Sequence, residues 1–461
     1  MVFDSKVILD WPGKHQEWRS DVAIGKVASS LIHPNPILDT DNLFGPWLGE
    51  EEYKPNPRPR AIMGDNLAVM SWLLSSGYSG KIDLIYIDPP YLSQSNYHSR
   101  ILLVDGTRKE WLQRRVFQDD GNPGMSTYLD GLYKRFILMR ELLAENGSIF
   151  VHLDWHACHY VKILLDEIFG NNHFINEIIW CYSGGSGTRR HFHRKHDTIL
   201  WYSKGEKYTF NPQFRSYSEA TLQRGLTRVK GDRFQLHEEG AMLQDWWADI
   251  NKILSPTAYE NLKFPTQKPV ALLRRLIECA SNPGDLVADF YAGSGTLAEA
   301  AETSGRDWIN CDNNDIALGT TLYRLIEMKS RDFRLDTFEI DSPVDDQPRL
   351  KLYGPYVRNE SRESLWLEIG IEDYSPARDD RARLENPWPW SVLLDFWEID
   401  TDYQEGFFHS NWQVIRQQHR CYDSNIPTRV RIPLPGGTSG SIAVRIHDIF
   451  GRETIRSVEV K

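Results

Sequence analysis

Asp88-Pro89-Pro90-Tyr91 joins three groups that suit a planar, amino-bearing ring. A carboxylate and a rigid backbone carbonyl can both accept from an NH2 group, and a tyrosine ring can stack on the plane. The four residues follow Ile82-Asp83-Leu84-Ile85-Tyr86-Ile87, an apolar run that reads as a buried strand. Two prolines end that strand and stiffen the turn. In an open α/β sheet, the C-terminal edge of a strand is where ligands bind. Taken alone, Asp-Pro-Pro also fits an ordinary strand-ending turn.

A second motif narrows the choice. Leu286 to Thr296 (Leu-Val-Ala-Asp-Phe-Tyr-Ala-Gly-Ser-Gly-Thr) reads as a strand, a Gly-rich turn and a helix beginning near Leu297. Gly293 and Gly295 permit positive φ and close backbone approach. The helix N-terminus adds N–H groups and a positive dipole end. Trp308-Ile309-Asn310-Cys311-Asp312 is another strand-like run ending in an acid, roughly 20 residues after Asp289. That is the spacing at which nucleoside-binding folds place a ribose-binding carboxylate.

Together these residues resemble the amino-directed DNA methyltransferases of the permuted β group, in which the Asp-Pro-Pro-Tyr turn precedes the Phe-x-Gly-x-Gly-Thr turn. Phe264-Pro265-Thr266-Gln267-Lys268-Pro269 is similar to the group's Thr-Gln-Lys-Pro motif. Gly64-Asp65-Asn66-Leu67 is similar to the Gly-Asp-x-Leu that precedes the catalytic strand. The resemblance spans residues 60–330 and is greatest to modification subunits of type III restriction systems and their solitary relatives. Asn310 departs from the glycine expected there.

The resemblance implies S-adenosylmethionine as cofactor and a catalytic turn of Asp88, Pro89, Pro90 and Tyr91. Asp289, Tyr291, Gly293, Gly295 and Thr296 would line the methionine end of the cofactor. Thr266 and Lys268 would reach its carboxylate, Asp312 its ribose hydroxyls, and Asp65 its adenine side. A bare structural role is open for two of these: Lys268 sits beside a helix-starting proline, and Asp65 suits an N-cap. The implied reaction is methyl transfer to adenine N6 in duplex DNA. Cytosine N4 is the alternative, as is a non-catalytic DNA-binding subunit of a restriction-modification or defence complex.

The chemistry of an exocyclic amine agrees with these roles. Its lone pair is delocalised into the ring, so it is a poor nucleophile. Two acceptors, Asp88 and the Pro89 carbonyl, can hold its protons and favour a pyramidal nitrogen for direct in-line transfer. A base inside a duplex must be flipped out to reach such a pocket, where Tyr91 would stack on it.

The net charge of −11 excludes a simple DNA-coating protein, but the charge is unevenly spread. From Arg189 to Arg233 there are 11 Lys+Arg against 4 Asp+Glu, so 11 − 4 = +7. Aromatics interleave with this island, the expected footprint of a nucleic-acid groove; a solvated basic face is the plainer reading. Arg189, Arg190, Arg194, Lys195, Arg215, Arg224 and Arg228 are candidate DNA contacts within it. Arg100, Arg114 and Arg115, just after the catalytic turn, are further candidates. Double-stranded DNA is the expected partner, together with a restriction or nuclease subunit or a second copy of the chain. His191, His193 and His196 have no cysteine or carboxylate cluster to complete a set, so no metal is expected. No apolar stretch reaches the roughly 18 residues of a membrane span. The N-terminus lacks a signal-peptide pattern, and five scattered cysteines fit a reducing cytosol, so a cytoplasmic location is expected.

These motifs need an α/β frame, and the pattern supplies one. Helix and strand signals alternate over residues 61–338, the expected Rossmann-like methyltransferase domain, within which 189–261 is the candidate target-recognition region. Residues 1–60, rich in Pro and Trp, read as an irregular extension, and Leu92 to Met125 as a loop excursion. Residues 339–461 read as a C-terminal all-β, sandwich-like domain. Ile442, Val444 and Ile446 alternate with Ala443, Arg445 and His447, and Gly and Pro turns separate short strands. That domain shows no catalytic set.

Overall fold

The computed structural model describes residues 8–12, 14, 26–37, 58–90, 96–118, 124–184, 189–225, 236, 238–253, 255, 258, 260–338, 347–361, 364–416, 421–422, 426–434 and 440–460. Its centre is an eleven-stranded sheet. In chain order the strands are β1 (Val27–Ile32), β2 (Arg60–Met63), β3 (Ile82–Ile87), β4 (Leu143–Leu153), β5 (Phe174–Cys181), β6 (His196–Ser203), β7 (Trp246–Trp247), β8 (Leu286–Asp289), β9 (Asp307–Asp312), β10 (Phe333–Phe338) and β11 (Phe407–Ser410). Their spatial order is β7-β5-β6-β4-β3-β8-β9-β2-β10-β1-β11. The six strands from β4 to β10 in this order are mutually parallel. A parallel sheet must be covered on both faces, and its strands read as continuous apolar runs.

Both faces are covered by helices. On one face lie α1 (Asn66–Leu73), α2 (Gly124–Leu142) and α3 (Cys158–Phe169). They bury Val69, Phe136 and Leu164 against Ile85 and Ile87 of β3. After the short α4 (Glu219–Gly225), the other face receives α5 (Val270–Ala280), α6 (Thr296–Thr303) and α7 (Asp315–Glu327). These bury Leu273, Leu297 and Leu322 against Leu84 and Tyr86. The two-residue period of β3 therefore splits its side chains between two cores. Among the described residues, no helix is long and apolar enough to cross a membrane.

The β-rich C-terminal part packs a three-stranded sheet (Arg349–Ser361, Ser364–Ser375, Arg429–Leu434) on a five-stranded one. Leu367 and Ile369 from the first meet Trp397, Val444 and Ile446 from the second. It is also tied to the rest of the chain. β11 extends the central sheet by pairing with β1. Phe396 and Ile415 enter the core beneath α5 to α7.

Two local expectations are corrected. The lead-in 1–60 is not irregular throughout: β1 pairs with β10, and Pro36–Ile37 joins the five-stranded sheet. Leu92–Met125 is not a loop excursion. It holds a hairpin of Asn96–Asp105 and Arg108–Gln118 that turns at Gly106, where φ is +57°. Ile101, Leu103 and Leu112 bury one face of the hairpin against Trp388, Val392 and Ile449. Arg100, Lys109 and Gln113 lie on the other, exposed face, whereas Glu110 and Arg114 share the packed one.

Candidate active site

Strands β2, β3, β8 and β9 run parallel, so Asp65, Asp88, Asp289 and Asp312 arrive at one edge of the sheet. β3 and β8 are neighbours in the sheet although far apart in sequence. Successive strands are added in opposite directions from this pair, β4 beyond β3 and β9 beyond β8, which makes it the switch point of the sheet. A cavity of about 510 Å³ opens there. Asp65, Asp88, Pro89, Pro90, Thr266, Lys268, Asp289, Tyr291, Gly293, Thr296 and Asp312 all line it. Gly295 lies behind the wall instead, and Tyr91 lies outside the described residues.

The Asp88 carboxylate forms an ion pair with the Lys268 ammonium inside the cavity. Lys268 is presented by a turn that local hydrogen bonds fix. Gln267 accepts from the Leu262 N–H at 2.9 Å and donates to the Glu260 carbonyl. The Lys268 carbonyl accepts from the Thr296 hydroxyl at 3.2 Å, which joins this turn to the start of α6. Thr266 has φ of +62°, a sparsely populated region for a β-branched residue. Such strain persists only where the surroundings impose it, commonly at ligand sites.

The Gly-rich turn is held from two sides. Asp312 Oδ2 accepts from the Gly293 N–H at 2.8 Å, and its Oδ1 accepts from the Asn314 N–H at 3.0 Å. From α7, Arg324 donates to the Ser294 carbonyl at 2.8 Å and pairs with Glu299. Gly293 has φ of +52° and Gly295 of +74°. Burial pushes the Asp312 carboxyl up to about 6. Asp289, whose Oδ1 accepts from the Tyr291 N–H at 2.8 Å, is pushed well above the carboxylate range by burial, with repulsion from Asp88 and Asp312 adding to it. A cationic ligand beside these crowded acids would favour the charged forms that burial now disfavours in Asp289 and Asp312.

Asp65 caps α1, accepting from the Leu67 N–H at 2.9 Å, and pairs with Arg135 at 3.1 Å. Both roles leave it on the cavity wall. Asn66 and Arg135 are site residues that the sequence reading missed. Asn66 donates to the Phe290 carbonyl at 2.8 Å and accepts from Arg135 at 2.5 Å. The signal for Asn66 was its place inside Gly64–Leu67; Arg135, in the middle of α2, gave none. A polar chain behind Asp88 was missed as well. Tyr86 Oη lies 2.9 Å from His152 Nδ1, His152 Nε2 lies 3.3 Å from Asp197, and the Tyr182 hydroxyl donates to Asp197 at 2.9 Å. Burial works upward on Asp197, yet the hydrogen bond and charge of His152 hold its carboxyl below the usual range. Polar residues inside the apolar strands β4 and β6 were the available signal.

The basic candidates divide. Arg100, Arg189, Arg190, Arg194 and Arg215 are exposed, and Lys195 donates to the Gly184 carbonyl. Arg114 is a correction: it is buried and donates to the Ile449 carbonyl at 3.0 Å and to Ser99 at 3.3 Å. It ties the hairpin to the C-terminal part and is removed from the DNA contacts. The side chains of Arg115 and Arg224, and all of Arg228, lie outside the described residues. Among the described residues, no group of three or more His, Cys, Asp or Glu is placed to hold a metal ion.

The profile of a family described as DNA methylase matches residues 82–319. The chain is 28% identical over 385 residues to the type II methyltransferase M.EcaI of Enterobacter cloacae, covering 69% of this chain and 78% of that protein. It is 28% identical over 273 residues to the DNA adenine methyltransferase YhdJ of Escherichia coli (strain K12), covering 59% of this chain and 83% of that one. Against the Mod subunit of the type III restriction-modification enzyme StyLTI of Salmonella typhimurium, identity is 25% over 320 residues, with 52% of this chain and 49% of that subunit covered.

Proposed function

The chain belongs to the DNA methylase family, whose profile covers just over half of it, and from that premise we propose that it transfers a methyl group from S-adenosylmethionine to adenine N6 in duplex DNA. The observation that carries the reading is that the Asp88-Pro89 turn and the Gly293–Thr296 turn line one cavity. One turn offers acceptors for an amine, and the other offers the backbone approach that a nucleoside cofactor needs. Asp at the first position of the turn and the likeness to a protein named as an adenine methyltransferase favour adenine over cytosine.

When bound, S-adenosylmethionine supplies an electrophilic methyl group on a sulfonium. The cavity fits such a group: its carboxylates complement the cationic centre, and Asp312 keeps acceptor capacity beyond its two backbone bonds for ribose hydroxyls. Gly293 and Thr296 would hold the methionine end, with Gly295 shaping their turn from behind and Thr266 and Lys268 at the carboxylate. On the DNA side, Asp88 and the Pro89 carbonyl would accept hydrogen bonds from the two amine N–H groups, one of whose protons is lost as the methyl is gained, and the ion pair with Lys268 fixes how the Asp88 carboxylate is turned. Placement and charge carry the catalysis, with no covalent enzyme intermediate. Exposed Arg189, Arg190, Arg194 and Arg215 would meet the DNA backbone and base edges. The recognition region 189–261, the domain limits at 60/61 and 338/339, a cytoplasmic location and a restriction subunit as a further partner belong to the same proposal. The last follows from the likeness to a Mod subunit.

The test is incubation with labelled cofactor and mixed-sequence duplex DNA, followed by digestion to nucleosides. Label is expected in N6-methyladenine. Label confined to N4-methylcytosine overturns the adenine assignment, and no label in DNA overturns the reaction.

A further inference from the structure

Phe192 is the most exposed large apolar side chain among the described residues, at 98%. It lies between β5 and β6 in the run Arg189-Arg190-His191-Phe192-His193-Arg194-Lys195, which holds four Lys or Arg and no acid. β6 is antiparallel to β4, with Thr198 opposite Leu153, so this segment leaves the sheet at the edge that carries Asp88. β6 is two strands from β3. At about 4.8 Å per strand the separation is roughly 10 Å, within the width of a DNA major groove.

The chain immediately after Phe192 is anchored. The Arg194 guanidinium lies 4.0 Å from the centroid of the Trp155 ring, and the Trp155 ring lies tilted by 33° against His156, with centroids 3.7 Å apart. His156 Nδ1 lies 2.5 Å from Asp154 Oδ2, which fixes the imidazole at the end of β4. Trp155 is itself 45% exposed and forms a flat seat beside the segment. A solitary exposed apolar ring is ordinary on a protein surface. Here the ring is flanked by cations and raised from a fixed stack beside an acceptor turn. That combination matches a ligand that is polyanionic outside and built of stacked planes inside, which is duplex DNA.

Resting on the proposed methylation of DNA, we infer that Phe192 is a wedge. It inserts into the base stack beside the target adenine as that base leaves, with the Trp155–Arg194 stack as its seat and the neighbouring arginines on the phosphates. A wedge replaces stacking lost when a base is extruded. It therefore matters only where a paired base must be flipped, which separates it from a surface residue that merely adds affinity.

The experiment compares wild type, Phe192→Ala and Phe192→Trp on duplexes carrying the motif found by sequencing DNA methylated in cells that express the wild type. Each duplex is made twice, with the target adenine paired and mispaired. Phe192→Ala should lower kcat/KM on paired DNA at least about tenfold, because flipping a base costs a few kcal/mol that the ring no longer offsets. It should recover to within about threefold of wild type on mispaired DNA, where that cost is reduced. Phe192→Trp should stay near wild type on both, and all three proteins should bind S-adenosylmethionine equally. Wild-type rates for Phe192→Ala on paired DNA overturn the wedge. So does an equal loss on both duplexes, which would make Phe192 an affinity contact for DNA or for another protein. If wild type methylates no DNA, the reaction proposed above fails first, and that result is distinct from either.

Discussion

Replacing Gly295 by Ala tests whether the Gly-rich turn is shaped by contact with α7. Gly295 has φ of +74°, and a Cβ there would lie 2.6 Å from Thr321 Oγ1, 2.9 Å from its Cγ2 and 3.0 Å from its Cβ. Thr321 is buried at 3% exposure, and Arg324 on the same helix binds Ser294 and Glu299, so neither side can withdraw without breaking other bonds. Gly284 supplies the control: its φ is +87°, yet nothing lies within 4 Å of the corresponding Cβ. Gly284→Ala should therefore cost only the left-handed backbone term, about 1–2 kcal/mol. Gly295→Ala adds an overpacking term of about 1–3 kcal/mol, for a total of about 2–5 kcal/mol. Thr321→Ala deletes the two nearest atoms but leaves Cβ, so the double variant should be milder than the sum of the singles by at least about 1 kcal/mol. Denaturant titration of the four variants and wild type measures the cycle, and calorimetric titration with S-adenosylmethionine measures the site. Gly295→Ala should weaken cofactor binding where Gly284→Ala does not. If the two glycine variants match, or the cycle couples by less than about 0.5 kcal/mol, contact with α7 does not shape the turn.

Three other predictions follow from the geometry. Asp312 titrates at about 6 because it is buried; if its carboxylate receives the ribose hydroxyls, cofactor affinity should fall as pH drops through about 6, tenfold per unit below it, and Asp312→Asn should flatten that profile in the same titration. Asp88→Ala should lower label transfer by about 10²–10³-fold, the usual effect of removing one preorganised group, without weakening the cofactor. Lys268→Met should weaken the cofactor itself, and a greater loss of affinity in Asp88→Ala would overturn this division of roles. A chain ending at residue 340 loses β11, Phe396 and Ile415 from the sheet and core they complete; circular dichroism with urea should find it unfolded or much destabilised, and a cooperative fold with wild-type cofactor affinity would make the C-terminal part dispensable.

The site was legible where its determinants are local. A buried strand ending in Asp-Pro-Pro, a Gly-x-Gly after a second strand and an acid ending a third each declare themselves within a dozen residues. The parallel sheet then brings them together whatever their order along the chain. The hairpin after the catalytic turn was illegible because its pattern is half of a pair. Ile101, Leu103 and Leu112 form a face only against Trp388 and Ile449, hundreds of residues away. β1 was hidden for the same reason, since its partners are β10 and β11. Arg114 was misjudged because a count of charges does not distinguish the two faces of a strand. Asn310, the departure from the expected glycine, sits in β9 at 2% exposure with no hydrogen bond from its amide to the protein. Nothing in the structure explains it.

The distribution of charge at the sheet edge accounts for how a chain of net charge −11 could act on a polyanion. The proposed cavity gathers Asp88, Asp289 and Asp312 around Lys268, and burial already disfavours the negative form of Asp289 and Asp312. A phosphate entering there would place negative charge where burial already disfavours it. An adenine is neutral and presents an amine to the acceptors. On the proposed reading the cavity would reject the DNA backbone and admit a base, whereas exposed Arg189, Arg190 and Arg194 outside it would attract the backbone. The basic island could be counted along the sequence, because its members are neighbours. The acidic cavity could not, because its members come from positions 88, 289 and 312 and meet only when β3, β8 and β9 align. Exchanging acids and arginines between cavity and rim would leave the net charge at −11 and reverse which part of the DNA enters.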